Sequence, residues 1–168
     1  MGSAESGSFS EFYRSEWADL LRYCWGLTVD RHDAFDVAQE TMTRACCEWS
    51  SIAGAAPVAW TRTVALNLSR NRWRSAGRRA SALDRLRSRS SEGVDLEPSA
   101  RHLDVVRLLK ELPPRQREAV VLRHLGDYTI EDVATAMNVS VATAKTHLQR
   151  GRAALEHLDR ATEEARRE

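Results

Sequence analysis

The sequence predicts an all-α fold, two small helical domains joined by a flexible linker, and three observations predict it. Apolar residues recur at helical spacing in several segments on either side of residue 80. No segment sustains the apolar/polar alternation of a half-buried strand. Between the helical blocks lies ASALDRLRSRSSEGVDLEPS, 80–99, rich in Ser and charge, with too little apolar surface to offset the entropy of ordering. These features divide the chain into a flexible terminus over 1–8, a first domain over 9–79, a linker over 80–100, a second domain over 101–158 and a charged tail over 159–168.

Phe9, Phe12, Tyr13, Trp17, Leu20, Leu21, Cys24 and Trp25 predict one amphipathic helix. After TVDRHD, which reads as a turn, a second helix is expected over 33–50. Ala34, Val37, Ala38, Thr41, Ala45 and Trp49 share one of its faces, with Asp36, Gln39, Glu40, Thr43 and Arg44 on the other. SSIAGAAP breaks the pattern. Pro57 suits the first turn of a third helix, where its missing N–H leaves no bond unmade, with Trp60, Val64, Ala65 and Leu68 as the buried stripe.

In the second block Leu103, Val106, Leu109 and Leu112 line a helix that Pro113-Pro114 stops. The next helix runs through Val120, Val121 and Leu125 to Gly126, read as its C-terminal cap. Thr129-x-x-Asp132 resembles a capping box that opens a helix through Val133, Ala134 and Met137. Asn138 can take the left-handed turn, and Ser140 can cap a last helix whose inward positions are Ala144, Leu148 and Leu155.

Composition excludes more than it assigns. At 168 residues and 42% apolar, the chain suits one ordinary core or two small ones. No apolar run approaches the roughly 20 residues of a membrane helix and no secretory signal opens the chain, so a cytoplasmic protein without membrane insertion is expected. Cys24, Cys46 and Cys47 lack CxxC spacing and read as reduced small hydrophobes. No nucleophile elbow, HExxH, P-loop or GxGxxG is present, so the expectation is no enzyme, no catalytic residue, no metal and no cofactor. The net charge of +1 hides a segregation: 1–59 carries −5, 60–89 carries +8, 90–100 carries −3 and 101–168 carries +1. Charge acts over a screening length of about 8 Å, so a polyanion meets the middle of the chain as a basic surface.

Residues 129–155 read as helix, short turn, helix, the helix-turn-helix signature in which the second helix enters the major groove. Its outward candidates are Thr143, Lys145, Thr146, Gln149, Arg150 and Arg152. Gln can read adenine and Arg guanine, while Lys and Thr more often hold phosphates. An ordinary helical hairpin with a solvated face is the competing reading. Over 60–79, Arg62, Arg70, Arg72, Arg74, Arg78 and Arg79 interleave with Asn67, Asn71 and Trp73, a pattern suited to tracking a backbone and meeting exposed bases. A solvated basic face on a core helix is the plainer alternative there.

Three stretches in this order, DRHDAFDVAQETMTRA, AWTRTVALNLSRNRWR and LPPRQREAVVLRHLGDYTIEDVATAMNVSVATAKTHLQRGRAAL, resemble extracytoplasmic-function sigma factors, group 4 of the sigma-70 superfamily. The resemblance covers residues 9–158 with the right gap. It implies a dissociable initiation subunit of bacterial RNA polymerase, an N-terminal region-2 helical bundle and a C-terminal region-4 helix-turn-helix domain. The implied partners are core polymerase, through the coiled coil of its largest subunit and its flap, promoter DNA, and an anti-sigma factor where one exists.

By the same resemblance Asp36, Gln39, Glu40 and Thr43 contact core polymerase. Arg62, Asn67, Arg70, Asn71 and Arg74, with the loop 50–57, face the −10 element and capture an unstacked base, at a flipping cost of a few kcal/mol. Thr143, Lys145, Thr146, Gln149 and Arg150 read the −35 element as duplex. The loop departs from the family in being short and Ala-rich. Ala142 stands where relatives often carry Gly, and Ala144 where they often carry Val. The alternative is a helix-turn-helix transcriptional regulator of response-regulator output type, because VATAKTHL resembles that recognition helix too. It would need strands and helices in alternation over 1–100, and the sequence shows none.

Overall fold

A computed structural model describes the backbone over 3–79, 100–165 and at 167, with side chains over 9–73, 104–165 and at 167. The chain forms two compact units, 1–97 and 98–168. Every regular element among the described residues is a helix, so the expected all-α architecture is met and the strands of a receiver domain are absent from them. The linker expected over 80–100 lies outside the described residues except for Ala100.

The first unit holds α1 (Ser3–Thr28), α2 (Arg31–Cys47), α3 (Trp49–Ile52) and α4 (Pro57–Arg79). The turn after α1 puts Val29 at a φ of 52°. Asp30 follows and caps α2, its carboxylate accepting from the Asp33 N–H at 2.8 Å. Helices α1, α2 and α4 pack on one another, and Leu20, Tyr23, Leu27, Val37, Ala38 and Ala65 are buried. A fully buried Val or Leu contributes about 1.5 to 3 kcal/mol, so this interior dominates the unit's stability. A second cluster joins Ala45, Trp49 and Ile52 to Phe9, Phe12 and Trp60, with the Phe9 and Phe12 rings 5.4 and 5.0 Å from that of Trp49.

Three helices of this unit differ from expectation. Helix α1 begins at Ser3, inside the segment expected as a flexible terminus. The helix expected over 33–50 starts at Arg31 and stops at Cys47, because Glu48 leaves helical geometry and the chain re-enters as α3, which delivers Trp49 to the Phe9–Phe12 pair. On α4 the buried residues are Thr61, Arg62, Ala65, Leu66 and Ser69, whereas Trp60, Val64 and Leu68 are half-buried. The buried stripe is thus rotated by about one residue, or 100°. Small side chains at 61, 65 and 69 permit close approach, and the Thr61 and Ser69 hydroxyls donate to Val58 O at 2.9 Å and Ala65 O at 2.8 Å, so their burial leaves no bond unmade. Trp60, too large for that seam, packs on the aromatic cluster.

The second unit holds α5 (Ala100–Glu111), α6 (Pro114–His124), α7 (Ile130–Met137) and α8 (Val141–Ala165). Val106, Leu109 and Leu112 are buried as expected, while the Leu103 side chain lies outside the described residues. After α6 the left-handed residue is Asp127, at a φ of 58°. The Gly126 N–H bonds back to Val121 O at 3.0 Å. Helix α8 runs on to Ala165, through most of the segment expected as a charged tail.

Candidate nucleic-acid interface

The α7–turn–α8 hairpin is built by local chemistry. Thr129 Oγ1 accepts from the Asp132 N–H at 3.1 Å and Asp132 returns a carboxylate to the Thr129 N–H at 3.2 Å, a capping box that starts α7. Asn138 ends it in the left-handed region, φ 54° and ψ 51°. Ser140 Oγ then accepts from the Thr143 N–H at 3.1 Å to start α8. Val133, Ala134 and Met137 are buried beneath the turn, and Arg115 of α6 donates to Met137 O at 3.4 Å. On α8 Ala144 and Gly151 face inward, and a Cβ at 151 would stand 2.7 Å from Val120 Cγ2. Thr143, Lys145, Thr146, Gln149 and Arg150 are all exposed. The Thr143 hydroxyl lies 2.8 Å from Ser140 Oγ, and that of Thr146 donates to Ala142 O at 3.0 Å. Arg152 is exposed too, and Lys145, Gln149, Arg150 and Arg152 are the long polar side chains of that surface.

On α4, Asn67 and Asn71 are exposed on the side away from Ala65 and Ser69, and Arg70 is half-buried. The Arg74 side chain lies outside the described residues. Arg62 does not face outward: its side chain is 6% exposed, 3.7 Å from Glu16 and over the ring of Tyr23. Its place on the buried stripe removes it from the DNA-facing set. Residues 53–56, which lead into α4, are exposed.

On α2, Gln39, Glu40 and Thr43 are exposed, and Glu40 holds Arg44 at 2.8 Å. Asp36 is half-buried and bonded to Arg72 of α4 at 3.3 Å. Cys46 and Cys47 are exposed rather than packed as small hydrophobes, since the buried stripe of α2 ends at Ala45. One residue and one pairing that matter to these surfaces escaped sequence reasoning: Gly151, and the partners of Arg72, which reads in the sequence only as part of the basic pattern of 60–79. Gly151 stands seven residues past Ala144 on the inward side, a signal that was present. The pairing of Arg72 with α2 spans more than thirty-five positions and left no local trace.

No group of His, Cys, Asp and Glu among the described residues could hold a metal ion, and no described helix is long and apolar enough to cross a membrane. Residues 12–79 match the family description Sigma-70 region 2, and residues 102–155 match Sigma-70, region 4. The chain is 32% identical over 156 residues to the RNA polymerase sigma-E factor of Streptomyces avermitilis, covering 92% of this chain and 87% of that one. It is 28% identical over 155 residues to the ECF RNA polymerase sigma factor SigM of Bacillus subtilis, covering 90% and 94%. Among solved structures, the sigma factor RpoE of Bartonella quintana, in complex with the anti-sigma factor NepR, matches with a TM-score of 0.68 and 25% identity over 89% of this chain and 97% of that one. The chain belongs to the sigma-70 family, as an alternative RNA polymerase sigma factor of the extracytoplasmic-function group.

Proposed function

We propose that this sigma factor divides initiation among three helices: α2 docks on the coiled coil of the largest subunit of core polymerase, α4 with residues 53–56 holds the −10 element, and α8 reads the −35 element. The reading rests above all on α8, where Lys145, Gln149 and Arg150 are exposed while Ala144 and Gly151 bury the opposite side. An inserted recognition helix presents its N-terminal half to base edges in this way. Asn67 and Asn71 offer donors and acceptors to an unstacked base, and Arg70 and Arg74 supply backbone charge. Asp36, Gln39, Glu40 and Thr43 give α2 an acidic, polar face for a basic partner surface. The protein works as a binding subunit rather than as an enzyme, in the cytoplasm, where polymerase and promoter are. An anti-sigma factor is a further partner, as the Bartonella relative was captured with one.

The two units are joined by the segment 80–99, and polymerase, by fixing both, makes the second promoter contact an intramolecular event. Run-off transcription and permanganate reactivity of unpaired thymines, with and without core polymerase, test the reading. Opening should require both proteins. Opening by the isolated chain, or none with core polymerase at any cognate promoter, overturns it.

A further inference from the structure

Arg72 stands on α4 where that helix meets α2. Its Nη1 lies 2.7 Å from Asp33 Oδ1 and its Nη2 lies 3.3 Å from Asp36 Oδ2. One planar guanidinium thus spans two carboxylates three residues apart on the neighbouring helix, a fit that an ammonium group could not reproduce. The side chains of Arg72, Asp33 and Asp36 are 38%, 45% and 37% exposed, so an arriving partner can reach them. Asp36 also has His32 Nε2 at 3.7 Å.

The buried faces mix small side chains, Ala34, Ala38 and Thr41 on α2 and Thr61, Ala65 and Ser69 on α4, with the larger Val37 and Met42 on α2 and Leu66 on α4. Small side chains bring two helices close but offer shallow ridges to fix their register. The forked ion pair adds a directional, charged contact at the rim of that packing.

We propose that Arg72 is a positioning residue that links polymerase docking on α2 to the DNA-holding face of α4. Its fork across Asp33 and Asp36 sets the register of α4 on α2, and with it the place of Asn67 and Asn71. This rests on the reading of α2 as the docking helix. Asp36 then serves two contacts, one with Arg72 inside the chain and one with a cation of the polymerase. Removing Arg72 frees both carboxylates for the polymerase and at the same time unstraps α4. The signature is a split, in which affinity for core polymerase holds or rises while strand opening falls.

The test compares Arg72→Met, Arg72→Lys and Glu40→Gln in the full chain, by binding of the labelled protein to core polymerase and by permanganate reactivity at saturating core. Arg72→Met should keep core affinity within about twofold or tighten it, and should lower opening about fivefold or more, the low end of ordinary coupling between sites. Arg72→Lys, with one point charge in place of a fork, should fall between. If Arg72→Met melts early, Asp33→Asn removes half the fork without emptying the seam and should lower opening in the same direction. Unchanged opening, or equal loss of opening and affinity, overturns the assignment. Glu40→Gln separates this from the wider reading: unchanged core affinity there refutes α2 as the docking helix, whereas weakened docking there with normal opening in the Arg72 variants refutes only the role of Arg72.

Discussion

The guanidinium of Arg62 lies 5.2 Å from the centre of the Tyr23 ring. Glu16 approaches the same group at 3.7 Å, and Arg62 Nη1 has no hydrogen-bond partner among the described residues. A cation on α4 is therefore held inside the first unit by a ring face and one acid of α1. Breaking such a pair leaves a charge without compensation. Arg62→Ala should destabilise the first unit by about 3 kcal/mol or more, read by circular dichroism melting. Arg62→Met combined with Glu16→Gln should recover most of that loss, because an apolar side chain of similar length fills the site without a charge to bury. The salt dependence of DNA binding should stay at its starting slope in the recovered variant. A slope lowered by about one would put Arg62 back on the phosphate-contacting surface.

The three thiols divide by environment. Cys24 is buried, and desolvation pushes its pKa from 9.0 up to about 12, against a smaller opposing pull from Arg62. Cys46 and Cys47 are exposed. A thiol-reactive disulfide reagent should therefore modify two thiols in the native protein and the third only on unfolding. The sign of the linkage follows from the raised folded value. The unfolded thiol ionises near 9.0 while the folded one does not, so the neutral Cys24 contributes its full stability below pH 9.0, and that contribution is lost between pH 9.0 and about 12. Cys24→Ala should flatten the alkaline limb of the stability–pH profile, read as melting temperature against pH. Three fast thiols, or an unaltered alkaline limb, would contradict the buried placement.

What could be read in advance was local. The capping box at Thr129 and Asp132, the left-handed Asn138 and the Ser140 cap each depend on a few consecutive residues, and the α7–turn–α8 hairpin follows from them. The stripe of α4 was not legible because two stripes with the same period run side by side. Trp60, Val64 and Leu68 form the more apolar one, yet Thr61, Ala65 and Ser69 form the buried one. Hydrophobicity favours the first, whereas close helix approach favours the second, and only the tertiary contact decides. Arg62 moved from the surface to the interior for that reason. Asp33 and Asp36 on α2 gave no sign of the Arg72 they hold, because pairing across helices leaves no periodic mark.

Gly151 sits where α8 crosses α6. A Cβ there would stand 2.7 Å from Val120 Cγ2 and 3.1 Å from the Gln116 carbonyl oxygen. The valine methyl belongs to a buried, β-branched side chain with one preferred χ1 in a helix, and the carbonyl belongs to the α6 backbone, so neither yields freely. Helical propensity alone favours Ala over Gly by up to about 1 kcal/mol, and the clash opposes it. We expect the clash to win and Gly151→Ala to destabilise the second unit by about 1 to 3 kcal/mol, the usual cost of overpacking. Gly151→Leu should cost more. Thermal melting of the full chain followed at the second unit's transition checks both, and a rise in stability with Ala would show that the crossing can open freely.

Lys145, Gln149 and Arg150 share the exposed side of the first turns of α8, yet they need not do the same work. Gln149 has the donor and acceptor of an amide and can pair with one adenine edge, and Arg150 can bridge two acceptors of a guanine. Lys145 is a point charge that suits a phosphate. Replacing a base reader by Ala should cost on the order of 1 to 3 kcal/mol at its preferred promoter and less at promoters altered in that one base pair. Replacing a phosphate contact should weaken every promoter alike and reduce the salt slope by about one. The expected pattern is loss of discrimination at separate −35 positions for Gln149→Ala and Arg150→Ala, and a uniform loss for Lys145→Ala. Binding and transcription across a matrix of −35 variants at two salt concentrations distinguish these. If all three variants kept the parent's −35 preference and salt slope, the exposed side of α8 would not be the reading surface, and the second unit would have to meet the promoter through another face.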